Sequence, residues 1–479
     1  MKDASGVLDV LMTFCGIAGT PLLSSFDSLH GLMVALDPRR DLKKSGGLMY
    51  WNKDSECISR EKLQEQQLKH LKKTVKRASD APFYKGLGLK DYKISDLSDI
   101  RKLPFTTKDD LRDAYPYGMI CTSLDKVVRL HSSSGTTGTP TVVYHSSKDI
   151  DSWTELVARC LYMIGVRRHD VFQNMIGYGL FTGGLGLHYG AERIGCLTIP
   201  TGPGNTKRQL KFMRDFGTSA IHVIPSYALH LADEIEAMGI DPRKEFPSLK
   251  YAFLGAEPHT EETRRKVEAF FGIDAFNSYG LSEMNGPGVA FECPAKDGLH
   301  IWEDAFLVEV INPDTLESVE PGERGELVLT TLQREAMPII RYRTKDLTTL
   351  IERPCACGRT HHKITRITGR SDDMLILKGV NIFPMQIEAV LIGISGVGRN
   401  YQITLESKGH NDHMIVKVEI DSNLSINDFR TLDSLKKRIT RELRDEILIT
   451  PDVILCEPGG IPAGQGKAVR VIDNRTLVM

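Results

Sequence analysis

The sequence predicts an α/β protein in two parts: a large N-terminal domain with mostly parallel β-sheets and flanking helices, then a small C-terminal α+β domain. Three observations lead there. Short β-branched runs alternate with helical stretches from about residue 125 to 345, the pattern of a mostly parallel sheet. Near residue 371 the pattern changes to a helix, an alternating strand, a charged helix and a strand within about 100 residues, the size of a separate domain. A chain of 479 residues also exceeds one ordinary core.

The elements follow in order. Residues 1–48 predict a disordered extension or a mis-assigned start: "DVLMTFCGIAG" could pass for the apolar stretch of a signal peptide, but Asp3 and Asp9 spoil it, and "DPRRDLKKSGG" follows. A confident pattern starts at Met49, so the large domain is expected over 49–371 and the small one over 372–479. From Ser59, the spacing of Leu63, Leu68, Leu71 and Val75 predicts an amphipathic helix. "SAIHVIP" and "LKYAFLGAE" predict buried strands, and "TEETRRKVEAFFG" a helix ending at Gly272. In the C-terminal part a helix is expected around Gln386 to Leu391, a strand at 414–420, a helix at about 428–448 and a strand at "DVILCE". Ser371, Asp372 and Asp373 form a polar junction after Gly369, which predicts a hinge.

Composition excludes several function classes. With 61 Lys and Arg against 62 Asp and Glu the net charge is −1, and no global field recruits nucleic acid or an anionic membrane. A hydrophobic share of 41% and a charged share of 26% are those of a globular protein, and no apolar run approaches the ~20 residues of a bilayer span. Nine scattered cysteines suit reduced thiols and a cytoplasmic location better than a disulfide framework. A homodimer is among the assemblies this allows.

The stretch "HSSSGTTGTP", 131–140, lies between two β-rich runs, "KVVRLHS" and "TVVYHS". Such a composition suits an ordinary turn. It also suits a phosphate-gripping loop, because Gly135 and Gly138 let backbone N–H groups converge while Ser133, Ser134, Thr136 and Thr137 add neutral donors. It is not a Walker A loop, since Gly138 is followed by Thr139 and Pro140 instead of Lys-Ser/Thr.

Four further stretches accompany it: "FLGAEP" (253–258), "NSYGLSE" (277–283), "YRTKD" (342–346) with "ITGR" (367–370), and Lys467 in "GKAVRV". In this order and at these intervals they resemble the adenylate-forming superfamily of acyl- and aryl-CoA synthetases, most closely its phenylacetate–coenzyme A ligase branch. The likeness runs from Met49 to the end. It implies ATP, Mg²⁺, coenzyme A and an aryl acid as cofactors and substrates, phenylacetate first and indoleacetate or a related arylacetate next. Driving a carboxylate onto the α-phosphate brings together groups that repel by roughly 4 kcal/mol at 4 Å and an effective dielectric of 20. The resemblance answers with Mg²⁺ held by Glu283 and with the ammonium of Lys467. It gives Thr136 and its loop to the departing pyrophosphate, Asp346 to the ribose hydroxyls, and Ala256, Glu257, Pro258, Ser278, Tyr279 and Gly280 to the surroundings of adenine. Ile367 and Arg370 assist at ribose or phosphate. Taken singly, Asp346 could equally be a turn cap and Glu283 a surface charge.

The resemblance further implies a small domain that rotates about Asp372 and carries the loop of Lys378, Gly379 and Val380 over the acyl-adenylate for coenzyme A; a plain strand-to-helix turn is the other reading of that loop. In "GYGLFTGGLGLHYG", Tyr178 and Phe181 offer aromatic walls, and Gly179, Gly183 and Gly184 a slot for a flat ring or, alternatively, close helix packing. Cys355 and Cys357, with Cys293 and His300 upstream, would complete a structural Cys₃His zinc site; plain reduced cysteines are the alternative, and His361 and His362 are competing ligands. Some members of the resembling branch carry a structural metal in this region.

Rival functions remain open at this level. A ligase passing its acyl group to an amine or a carrier protein would share the nucleotide motifs. A non-catalytic nucleotide- or nucleic-acid-binding protein would need a basic, aromatic-interleaved stripe, and the near-neutral charge gives none.

Overall fold

The computed structural model describes residues 50–132, 139–180, 182–257, 259–373, 375–377, 380–408, 411–421, 424, 429–461 and 470–475. The expectations for 1–48 lie outside these residues.

The chain enters through a single turn at Lys53–Glu56 and helix α1 (Arg60–Ala78), which Ser59 caps by accepting from the Lys62 amide, as the spacing predicts. Leu63, Leu71, Val75 and Ala78 point inward from it. Strands β1 (Val127–Ser132) and β2 (Val142–Ser146) form an antiparallel pair with Ser132 opposite Val142. Helix α2 (Ser147–Met163) follows at once, started by a capping box between Ser146 and Asp149.

The next segment alternates strand and helix: β3 (Val171–Asn174), α3 (Thr182–Ile194), β4 (Leu197–Ile199), α4 (Thr206–Asp215), β5 (Ala220–Val223), α5 (Pro225–Ala237), β6 (Tyr251–Leu254), α6 (Glu261–Phe271) and β7 (Asp274–Leu281). Gly272, at φ +69°, closes α6 where "AFFG" predicts it. These five strands pair in parallel, and β5 and β6 are buried almost throughout because helices cover both faces.

Past β7 the connections shorten. Strands β8 (Gly286–Glu292), β9 (Leu299–Ile301), β10 (Phe306–Ile311), β11 (Arg324–Thr331), β12 (Tyr342–Ile351) and β13 (Lys363–Ile364) follow one another without an intervening helix of any length, and all their pairings are antiparallel. Among the described residues, β3 to β13 make one sheet in the order β10-β11-β12-β13-β9-β8-β7-β6-β5-β3-β4. The α/β class holds, but the sheet is mixed where a mostly parallel one is expected: hairpin-length links permit only antiparallel neighbours, and helical crossovers stop at β7.

The C-terminal part has β14 (Leu375–Leu377), β15 (Val380–Ile382), α7 (Pro384–Gly393), β16 (Val397–Lys408), β17 (Asn411–Ile420), α8 (Phe429–Ile447), β18 (Asp452–Cys456) and β19 (Val471–Asp473). Its sheet runs β18-β17-β16-β19. Leu435, Ile439, Leu443 and Ile447, four residues apart on α8, pack over it with Ile403, Leu405, Val416 and Val418. This core takes its buried members from Leu375 onward. Among the described residues no helix is long and apolar enough to cross a membrane.

Candidate active site

The parallel strands deliver their loops to one edge, where ligands of open α/β sheets bind. At the end of β6, Ala256 adopts φ +65° and Glu257 turns its carboxylate to the start of α5, accepting from the Ser226 hydroxyl at 2.8 Å. Alongside, on β7, Ser278 donates to the Leu254 carbonyl at 3.2 Å. Gly280 has a local reason to be glycine: a Cβ there would collide with the Gly286 backbone across the β7–β8 hairpin.

Tyr279, Asp346 and Arg370 meet. The Tyr279 hydroxyl donates to one Asp346 carboxylate oxygen at 2.6 Å, and Arg370 Nη1 donates to the other at 3.2 Å. Burial pushes the Asp346 carboxyl up to about 6, against the pull of Tyr279 and Arg370. Burial and the adjacent carboxylate hold the Tyr279 phenol far above its ordinary range, so it is a donor at neutral pH. Arg370 also grips both carboxylate oxygens of Asp372, at 2.8 and 2.9 Å, which ties the expected hinge residue to this corner. Ile367 packs half-buried against the main core.

Glu283 sits on the single turn Ser282–Met284 between β7 and β8, 7% exposed. Burial, with the Glu283 carboxylate beside it, pushes the Tyr342 phenol well up. The Glu283 backbone carbonyl accepts from Arg334 Nη1 at 2.6 Å. Arg334 stands in no motif that points to it; Tyr342 stands in "YRTKD", but Glu283 lies on a distant turn of the chain, so their proximity leaves no signal in sequence. His131, near the end of β1 that precedes 133–138, and His145, toward the far end of β2, are buried, and burial lowers the pKa of both.

Tyr178 is fixed by its hydroxyl, which accepts from Asn174 Nδ2 at 3.0 Å and lies 3.2 Å from His188 Nδ1. Asn174 also donates to the Gly184 carbonyl and meets His222 Nδ1 at 3.0 Å, a network that sequence reasoning missed because each residue lies on a different element. A Cβ on Gly184 would lie 2.5 Å from the Gly177 carbonyl oxygen, so this glycine lets α3 pack on the preceding loop. Gly183 faces Ile176, whereas Gly179 borders open space. Val380 pairs with Leu377 and packs on the second core. The expectations for Ser133, Ser134, Gly135, Thr136, Thr137, Gly138, Phe181, Pro258, Lys378, Gly379 and Lys467 fall outside the described residues.

A second polar assembly lies on the antiparallel side. Cys293 and His300 flank the β8–β9 turn, and Cys355 and Cys357 occupy the β12–β13 loop; their donor atoms all lie within 4.8 Å of one another. The Cys293 and Cys355 sulfurs are 3.6 Å apart, and Cys357 Sγ is 3.2 Å from His300 Nε2. Four ligands about 2.3 Å from a zinc ion would stand about 3.8 Å apart, so the donor set fits. His300 Nδ1 lies 3.1 Å from the His361 carbonyl, and donating there leaves Nε2 its lone pair. Hydrogen bonds from Cys293 and Cys355, with Arg359 nearby, hold the Cys357 thiol well below its ordinary range, as a metal-bound thiolate requires. His361 and His362 are not in this cluster: His361 Nε2 lies 2.9 Å from the Ser55 carbonyl, and His362 Nδ1 faces Glu303 at 3.3 Å.

The same loop clamps the entry segment. Arg359 and Glu56 form an ion pair at 2.7 Å with both side chains essentially inaccessible, Thr360 donates to the Ile58 carbonyl at 2.6 Å, and the Tyr50 hydroxyl to the Cys357 carbonyl at 2.8 Å.

Comparison with known proteins agrees with this architecture. Residues 56–333 match the model of the AMP-binding enzyme family and residues 379–475 that of the AMP-binding enzyme C-terminal domain. The chain is 46% identical over 428 residues to a phenylacetate-coenzyme A ligase of Aromatoleum evansii, covering 88% of this chain and 96% of the relative. A crystal structure of 2-hydroxyisobutyryl-CoA ligase in the postadenylation state superposes with a TM-score of 0.83 at 26% identity, covering 90% of this chain and 93% of that one. The same ligase in the thioesterification state, with coenzyme A, superposes at 0.66 with 27% identity, covering 89% and 93%. The chain belongs to the AMP-binding enzyme family and, within it, to the phenylacetate-coenzyme A ligases.

Proposed function

We propose that this protein is an AMP-forming acid–CoA ligase acting on phenylacetate. It joins the carboxylate to the α-phosphate of ATP with loss of pyrophosphate, then passes the acyl group to the thiol of coenzyme A with loss of AMP. The observation that carries the reading is the meeting of Asp346, Tyr279 and Arg370 beside the Glu283 turn, in a chain 46% identical to a phenylacetate-coenzyme A ligase.

Asp346 accepts the ribose hydroxyls once its carboxylate exchanges the Arg370 bond for them, and Tyr279 keeps it oriented meanwhile. Glu283, steadied by Tyr342 and Arg334, faces the phosphates and would hold Mg²⁺. That ion, when bound, offsets the repulsion between carboxylate and phosphate. Ser133, Ser134, Thr136 and Thr137 grip the leaving pyrophosphate, and Lys467 neutralises charge where acid meets nucleotide. Tyr178, held by Asn174, walls the acid pocket.

The small domain, 372–479, turns about Asp372 for the second step and brings Lys378, Gly379 and Val380 toward the thiol of coenzyme A. The higher TM-score against the postadenylation state than against the thioesterification state supports such a two-position device. Cys293, His300, Cys355 and Cys357 would hold a structural zinc. A cytoplasmic location suits the free thiols.

The test is ATP–pyrophosphate exchange over a panel of aryl and fatty acids, followed by product analysis with coenzyme A. Exchange strongest with phenylacetate, yielding phenylacetyl-CoA and AMP, is expected. Exchange absent with every arylacetate, or acyl transfer only to an amine, would refute the reading.

A further inference from the structure

Arg334 is out of place as an ordinary structural arginine. It is 2% exposed, yet among the described residues only Nη1 of its guanidinium nitrogens has a hydrogen-bond partner, the Glu283 carbonyl at 2.6 Å, while Nε and Nη2 have none. Burial lowers its pKa to about 10, opposed by the Asp149 and Glu283 carboxylates, so it stays a cation at neutral pH. A buried guanidinium with idle donors is costly and persists where something else depends on it.

Its position is over-determined from behind. Asp149, in the capping box of α2, accepts from the amides of the next two residues, Glu335 at 2.6 Å and Ala336 at 3.0 Å, and so fixes the backbone that carries Arg334. On the other side stands Asn285, which ends the Ser282–Met284 turn at φ +80° with its Oδ1 buried and unpartnered among the described residues. Arg334 and Asn285 line one small cavity of about 10 Å³ with Asp149, Ser152, Thr331 and Gln333. That is about the room for one water, which could take a guanidinium proton and donate to Asn285. The start of α2 is thereby joined through Arg334 to the middle of the turn that presents Glu283, and Asn285, at the end of that turn, faces Arg334 across the cavity.

We propose that Arg334 is a positioning residue: it sets the Ser282–Met284 turn, with help from Asn285, and so fixes where the Glu283 carboxylate meets the divalent cation of the nucleotide. The proposal rests on the reading of Glu283 as a cation ligand, and the test separates the two.

Arg334→Gln, Asn285→Gly and Glu283→Gln are compared with wild type by hydrogen–deuterium exchange of residues 281–286 in metal-free, nucleotide-free protein, and by electron paramagnetic resonance titration of Mn²⁺ in the presence of ATP. Arg334→Gln should speed exchange in 281–286 about ten-fold and weaken Mn²⁺ about ten-fold, with β6 (251–254) exchanging as in wild type. Asn285→Gly, whose φ suits glycine, should act in the same direction by about three-fold and supplies the answer if Arg334→Gln does not fold. Glu283→Gln should weaken Mn²⁺ without changing exchange; unchanged Mn²⁺ affinity there would refute the cation role of Glu283 and leave the effect of Arg334 on the turn to be read from exchange alone. Wild-type exchange in 281–286 for both Arg334→Gln and Asn285→Gly, or faster exchange spread evenly over 281–286 and 251–254, would overturn the proposal.

Discussion

The thiol cluster at Cys293, His300, Cys355 and Cys357 and the corner at Asp346, Tyr279 and Arg370, proposed to take the nucleotide, are each assembled from distant parts of the chain, but their polar groups are balanced in opposite ways. In the corner every charge already has a partner: Arg370 spans Asp346 and Asp372, and Tyr279 donates to Asp346. A ligand entering there would exchange one set of bonds for another, and through Asp372 that exchange would reach the proposed hinge. In the cluster sulfurs converge, and the cation beside them, Arg359, is already engaged by Glu56. Such a donor set is stable when a cation fills it and strained otherwise. On the proposed roles, the site that turns over is pre-paired and the site that would stay filled by a metal is not.

The largest effect that can break this contrast is expected from Cys357→Ser. Zinc content, measured on protein purified without a histidine tag, should fall from about one ion per chain to near zero, with a stability loss of about 4 kcal/mol by denaturant titration. Wild-type protein free of metal and equally stable would place the cluster with ordinary buried thiols.

On the nucleotide side Asp346→Asn should raise the KM for ATP about thirty-fold, the worth of one or two charge-assisted hydrogen bonds, with little change in zinc content. The pH profile sharpens the same point. Because burial raises the Asp346 pKa from 3.8 to about 6, the folded state holds a proton between those values that the unfolded chain has lost. This group's contribution to stability therefore declines as pH rises through that window, while the carboxylate that the proposed ribose contact needs becomes available. The KM for ATP should rise about ten-fold on lowering pH from 7 to 5, and the rise should vanish in Asp346→Asn.

Tyr279→Phe should have the smallest effect, about three-fold in the KM for ATP at pH 7. It removes the bond that pulls the Asp346 pKa down, so the pH at which ATP binding fails should move upward. A downward move would contradict the pairing.

Much of this could be read without coordinates where the cause is local. Gly272 stops α6, Ser59 starts α1 and the four-residue spacing from Leu435 marks the buried face of α8, since caps and periodicity act within a turn or two. The ordered motifs gave the residues of the corner. What the sequence hides is pairing at long range. Nothing near Gly286 announces antiparallel neighbours, because register is decided by link length and by strands that arrive later. Arg334 acts on Glu283 across 51 positions, and Gly280 and Gly184 answer to backbone neighbours as much as to any ligand. His361 and His362 are also equal to the cluster cysteines in the sequence, and only the fold of the loop hands them to Ser55 and Glu303 instead.

The clamp between Arg359 and Glu56 spans 303 positions. At about 5–20 residues per second a ribosome needs roughly 15–60 s to travel that distance. For all that time the entry turn and the foot of α1 are in the cell without the guanidinium and carbonyls that later enclose them. Nascent enzyme of this kind should thus stay recognisable to chaperones until Arg359 has been added, and termination before Arg359 should leave a product that is cleared instead of stored.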